Sequence, residues 1–152
     1  RGFDMALIDL IREDVVRVPL AANTKEGIIR ELVQTLAAAG KVSDSEAASR
    51  AVLDREAKGS TGLEEGVAVP HGKTPAVQSL AVAVGVAPRG VDFEALDGKP
   101  SSLFFLILAP PDQSGPHIEA LAEIARLCRS KAFCRTLATS RDAREVVELF
   151  QD

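Results

Sequence analysis

The chain has 152 residues, about one domain on a prior of ~150 residues per domain, and is long enough to bury a substantial core without staples. Hydrophobic residues make up 46% and charged residues 26%, which excludes whole-chain disorder, and no apolar run approaches the ~20 residues needed to span a bilayer. Net charge is −4, the pI is about 5.3 and the six Phe are the only aromatics, which argues against the basic face and the stacking platform that nucleic acid requires.

The chain opens Arg1-Gly2-Phe3-Asp4, without the apolar stretch of a secretory leader and without Met, which suggests processing or a piece of a longer chain. Ile28, Ile29, Leu32, Val33 and Leu36 recur at helical spacing and predict a first long helix, capped by Asn23 or Thr24 and stopped by Gly40. A second helix is expected from Ser43, with Glu46 completing a capping box, to about Lys58, where Gly59 ends it. Val67-Ala68-Val69, between Gly66 and Pro70, reads as a strand. Leu80 to Ala87 and Leu103 to Ala109 are apolar at nearly every position, as strands buried on both faces are. Pro88-Arg89-Gly90 and Asp97-Gly98-Lys99-Pro100 read as turns between them.

Ser114-Gly115-Pro116 opens another helix, with Ile118, Leu121, Ala122, Ala125 and Cys128 as its apolar stripe, and shorter helices are expected after Ser130 and Ser140. Helices before and after a buried sheet predict a three-layer α/β sandwich. The elements do not alternate strictly as βαβ, so the central sheet flanked by helices is expected to be mixed. Cys128 and Cys134 match neither C-x-x-C nor a zinc spacing, and are expected to be two reduced cysteines on helices of a cytosolic protein.

Three residues carry candidate chemistry. His71 follows the strand Val67-Ala68-Val69, and ligands of open α/β sheets bind beyond strand ends. It is either such a site, stiffened by Pro70 and opened by Gly72, or a surface loop histidine. His117 falls in the first turn of its helix, where unpaired N–H groups favour an anion; the alternative is a capping or exposed histidine. Arg55 shares a helical stripe with Ala48, Ala51 and Val52. It is either a snorkelling arginine or a guanidinium fork aimed at an anion. Together the three have a phosphoryl-transfer logic. A neutral imidazole can hold a phosphoryl group covalently, and positioning and charge supply most of the remaining catalysis. No Gly-rich P-loop, acidic magnesium cluster or H-E-x-x-H occurs in the sequence.

The stretch Arg55-Glu56-x-x-x-Ser60-Thr61-Gly62-Leu63-x-x-Gly66-Val67-Ala68-Val69-Pro70-His71-Gly72-Lys73 resembles the phosphorylation-site region of the enzyme IIA domains of the bacterial phosphoenolpyruvate-dependent sugar phosphotransferase system, in the fructose–mannitol class that includes nitrogen-regulatory members. Gly90-Val91-Asp92-Phe93-x-Ala95-Leu96-Asp97-Gly98-x-Pro100 and His117-x-x-x-Leu121 are similar to that class too. The resemblance runs from roughly Asp9 to Phe150 and implies one such domain over residues 1–152. It implies that His71 accepts phosphate from the phosphocarrier protein HPr and passes it to a cysteine of enzyme IIB. His117 would be the assisting histidine, and Arg55 would lie near the phosphoryl group. It implies no metal, no organic cofactor and a flat apolar docking surface around His71, while charge and the short apolar runs argue against nucleic acid and against insertion into a membrane. Many members carry Gly where this chain has Glu64, a carboxylate that bears on rate or partner choice.

Three functions compete. The Ala39-Gly40-Lys41-Val42 turn and the Val91 to Pro100 segment look closest to fructose-type uptake domains, which are often fused to IIB and IIC. A nitrogen-branch regulatory module would use the same phosphohistidine as an electrostatic switch for partner proteins. A hydrolase or metal domain built on the two histidines lacks a carboxylate-rich motif beside them.

Overall fold

Leu103 to Ala109 is buried along its whole length, each residue at most 1% exposed, because helices cover both faces of the strand it forms. A computed structural model describes residues 7–151; the opening Arg1-Gly2-Phe3-Asp4 lies outside them. The elements in chain order are α1 (Leu7–Leu10), a 3-10 turn (Glu13–Val15), β1 (Val16–Arg17), α2 (Lys25–Ala38), α3 (Ser45–Glu56), β2 (Val67–Ala68), β3 (His71–Lys73), β4 (Ala81–Val91), β5 (Ser101–Ala109), α4 (Ser114–Leu127), α5 (Lys131–Ala138) and α6 (Ala143–Gln151).

The sheet runs β1-β4-β5-β2, with β3 also on β5. β4 and β5 are antiparallel, while β1 on β4 and both β2 and β3 on β5 are parallel. The sheet is therefore mixed, as expected. Alternate residues of β5 feed two separate cores. Phe104, Leu106 and Leu108 pack with Ile28, Leu32, Leu36, Ala48 and Val52 of α2 and α3. Leu103, Phe105 and Ile107 pack with Ala120, Ile124, Leu137, Val146 and Phe150 of α4, α5 and α6. Helices on both sides of one sheet make the three-layer α/β sandwich. Among the described residues no helix is long and apolar enough to cross a membrane.

α2 starts at Thr24, whose Oγ1 accepts the Gly27 N–H at 3.0 Å. It ends at Gly40, where the Lys41 N–H reaches the Leu36 carbonyl at 2.9 Å. Other boundaries differ from expectation. Asp44, not Ser43, caps α3 by accepting the Ala47 N–H at 3.0 Å. Ser43 instead bonds the Ala76 carbonyl through its N–H and its hydroxyl. Pro88-Arg89-Gly90 is not a turn but an irregularity inside β4, where pairing with β5 lapses after Val86 and resumes at Val91. The α4 stripe is also different: the buried residues are His117, Ala120 and Ile124, whereas Ile118 is 64% exposed. The expected stripe put Ile118 inward because Ala122 and Ala125 follow it at helical spacing, but alanine packs equally well on either face. Cys128 and Cys134 are both free.

Candidate functional site

Val67 pairs with Leu103 and His71 with Ile107, so β2 and β3 run along β5 with the same offset. They are one edge strand interrupted at Val69-Pro70, where the proline has no N–H for the ladder. The expectation of a site beyond a strand end therefore needs correcting, since the chain resumes its pairing at His71 itself. A His-Gly-Lys triplet after proline carries no apolar alternation to reveal this.

Register decides which way the triplet faces. Ile107 and Leu103 belong to the core under α4, so His71, opposite Ile107, faces that layer. Gly72, opposite Leu108, faces α3. A Cβ at Gly72 would stand 3.1 Å from the Ala51 carbonyl carbon and 3.1 Å from the Val52 nitrogen, so only glycine lets β3 lie this close to α3 without a shift. Lys73 then faces the α4 layer again.

His71 Nδ1 lies 2.9 Å from the Val69 carbonyl oxygen. A carbonyl only accepts, so Nδ1 carries the proton and the neutral ring's lone pair sits on Nε2. The half-buried imidazole is thus held in one tautomer, with the lone pair on Nε2.

His117 meets it from α4, with ring centroids 5.4 Å apart and planes at 66°. It neither caps the helix nor lies exposed; only 5% of it is accessible. Burial, then the neighbouring charges of His71 and Lys73, hold its pKa down at about 4. Its Nε2 is buried without a hydrogen-bond partner among the described residues, an uncommon condition in a native fold. Lys73 donates to Ser114 Oγ at 2.7 Å, tying β3 to the first residue of α4.

Arg55 lies one helical turn past Ala51, about 6 Å along α3, in the layer on the other side of the sheet. Its guanidinium donates to the Gly59 carbonyl at 2.9 Å rather than to either histidine. The structure therefore brings His71 and His117 together and leaves Arg55 bracing the loop after α3.

That loop is fixed by a buried carboxylate. Glu56 accepts the Thr61 N–H at 2.8 Å and the Thr61 hydroxyl at 2.6 Å, and pairs with Lys25 at 2.9 Å. Burial pulls the Lys25 ammonium down, but Glu94 and Glu56 outweigh it and hold its pKa above the ordinary lysine value. The loop then lies along the edge strand, with Val69 N–H on Thr61 O and Leu63 N–H on Val67 O. Lys73, Glu56 and Thr61 stand inside the sequence motif without an assigned place. For Lys73 the two-residue spacing from His71 was the available signal; for the Glu56–Thr61 contact no sequence periodicity exists.

Fold and site together define an α/β sandwich protein with a paired-histidine edge. The chain belongs to the family described as phosphoenolpyruvate-dependent sugar phosphotransferase system, EIIA 2, whose family model matches residues 9–152. It is 38% identical over 141 residues to the PTS system fructose-specific EIIABC component of Bacillus subtilis, covering 91% of this chain and 22% of that protein. It thus spans about a fifth of that relative's length. It is 36% identical to a nitrogen regulatory protein of Bradyrhizobium diazoefficiens, covering 93% of this chain and 92% of that one. Its structure is similar to that of enzyme IIAMTL of Escherichia coli, solved in complex with phosphorylated enzyme IIBMTL, with a TM-score of 0.78, 28% identity and coverage of 92% and 96%.

Proposed function

We propose that this chain is a phosphoryl carrier, in which His71 Nε2 accepts a phosphoryl group from phospho-HPr and passes it to enzyme IIB during fructose-type sugar uptake, in the cytoplasm. One observation carries the reading: the Val69 carbonyl holds His71 Nδ1–H and leaves Nε2 as the lone-pair nitrogen, beside the unpartnered Nε2 of His117. The Nε2 pair attacks phosphorus, the bond to the donor's leaving atom breaks, and its pair departs with HPr. The proton on Nδ1 stays in place, so the positive charge that develops on the ring remains hydrogen-bonded to Val69. No proton has to move at the reacting nitrogen, and a fixed ring supplies the alignment that transfer between two proteins needs. Neutral His117 can turn a donor toward a phosphoryl oxygen, and Arg55 can add charge from the α3 side.

The Bacillus relative supports the sugar branch and the association with IIB and IIC. The Bradyrhizobium relative, matched over nearly its whole length, supports the second reading, a nitrogen-regulatory switch in which the same phosphohistidine controls partner binding. Incubation with phosphoenolpyruvate, enzyme I and HPr, followed by intact mass, tests the shared chemistry. The expected result is a gain of one phosphate, acid-labile and alkali-stable. Transfer onward to a fructose-type IIB then supports uptake, and its absence favours the switch.

A further inference from the structure

Lys73 is the cation best placed to meet a charge on His71. Two residues apart on β3, the side chains lie on the same face with their Cα atoms about 6–7 Å apart. The Lys73 ammonium rests on Ser114 Oγ at 2.7 Å, one helical turn before His117, and its charge is among those that act on the His117 ring. Among the described residues no carboxylate lies within ion-pair distance of Lys73, in contrast to Lys25 with its two. Arg55, the other candidate cation, is turned to Gly59. A lysine held by one neutral hydroxyl keeps two N–H donors and a full charge uncommitted.

Resting on the reading that His71 carries the phosphoryl group, we propose that Lys73 is a catalytic residue of that step: its ammonium moves from Ser114 onto the phosphoryl oxygens as they arrive on His71 Nε2. The dianionic group offers stronger acceptors than a serine hydroxyl, and a charge-assisted bond replaces a neutral-acceptor one. Ser114 is the resting place that keeps the exposed ammonium near the site. Departure of Lys73 from Ser114 also changes the field at His117, so phosphorylation is felt by both groups together.

The test uses phosphoramidate as a chemical donor, which isolates the chemistry at His71 from the docking of any protein. The P–N bond of phosphoramidate breaks, ammonia leaves with the bonding pair, and phosphorus joins Nε2. Lys73→Met is expected to slow phosphate gain by about tenfold to a hundredfold, the lower part of the range for a positioned donor because the side chain is exposed. Lys73→Arg, which keeps the charge, is expected within about threefold of the parent. In unphosphorylated Lys73→Met, the His117 imidazole should titrate at higher pH than in the parent by NMR, since a neighbouring positive charge is gone. Equal rates for Lys73→Met and the parent would overturn the proposal while leaving His71 as the carrier. Equal slowing of both variants with a lowered melting temperature would overturn it too, by making Lys73 a strut between β3 and α4. A parent protein that gains no phosphate, or gains it elsewhere than His71, would instead remove the carrier reading and this proposal with it.

Discussion

His71 and His117 face each other across 5.4 Å, and what else they touch has made them unequal. His71 has one nitrogen satisfied by a backbone carbonyl and its ring half-open to solvent. His117 is buried, and its Nε2 has no partner among the described residues. In the proposed carrier role the first ring is the acceptor and the second its neighbour, and the two should respond differently to substitution.

His71→Ala is expected to abolish phosphate acceptance from phospho-HPr while unfolding within ~1 kcal/mol of the parent, because the lost side chain is only partly buried. Intact mass and urea unfolding check both halves. A mutant that gains phosphate at the parent rate would move the acceptor elsewhere.

His117→Ala should still load phosphate but pass it to IIB more slowly, by roughly ten- to a thousandfold, the scale for one positioned donor. Single-turnover transfer in both directions measures this; unchanged rates would leave the second ring a packing residue.

The low pKa of His117 makes a separate prediction about pH. The folded state favours the neutral ring, so between the ordinary value of 6.5 and about 4 the unfolded chain binds more protons. Stability is therefore unaffected by this group above pH 6.5 and falls as pH drops through that window. Phosphorylation of His71 adds negative charge beside the ring and should raise its pKa. NMR titration of the two imidazoles, with and without phosphate, reads both effects. A His117 that titrates near 6.5 in the unphosphorylated protein would contradict the buried, neutral ring.

Arg55→Lys keeps the charge but loses the planar fork. Transfer is expected to slow clearly, by about tenfold, while the Gly59 carbonyl can still be reached by an ammonium and stability changes little. Transfer assays run beside thermal melts separate the two roles. Identical transfer rates would confine Arg55 to supporting its loop.

Thr61→Val preserves shape but removes the hydroxyl that donates to buried Glu56 at 2.6 Å. Losing a hydrogen bond to a charged, buried group should cost about 1.5–3 kcal/mol. The urea midpoint should fall with the slope unchanged. An unmoved midpoint would mean that Lys25 and the Thr61 amide satisfy the carboxylate alone.

The sheet was legible because β5 and most of β4 are apolar on both faces, a pattern that few other structures produce. α2 was legible because Thr24, its apolar spacing and Gly40 agree. Where two neighbouring residues could both cap, as Ser43 and Asp44 could, composition did not decide. The choice came from Ala76, a residue far along the chain that takes Ser43 for itself. α4 was misread because its alanines allow two inward faces, and the sheet selected the one carrying His117, Ala120 and Ile124. At the site, His71, His117 and Arg55 were visible as residue types in telling places. The Val69 carbonyl that fixes the tautomer, the Ser114 hydroxyl that holds Lys73 and the engagement of Arg55 with Gly59 depend on tertiary approach and leave no periodic trace.

The Val69-Pro70 interruption has a consequence for solubility. A sheet that presents a reactive side chain to visiting proteins must expose some of its border, and a border with free amides invites another strand to pair with it. Here the stretch before the break is covered by residues 61–63, through the Thr61, Gly62 and Leu63 contacts. The stretch after it is only three residues long and follows a proline. The border around His71 is thus open to side chains yet too short to template a strand. In the proposed carrier role, partners would approach this edge repeatedly without meeting a template for strand pairing.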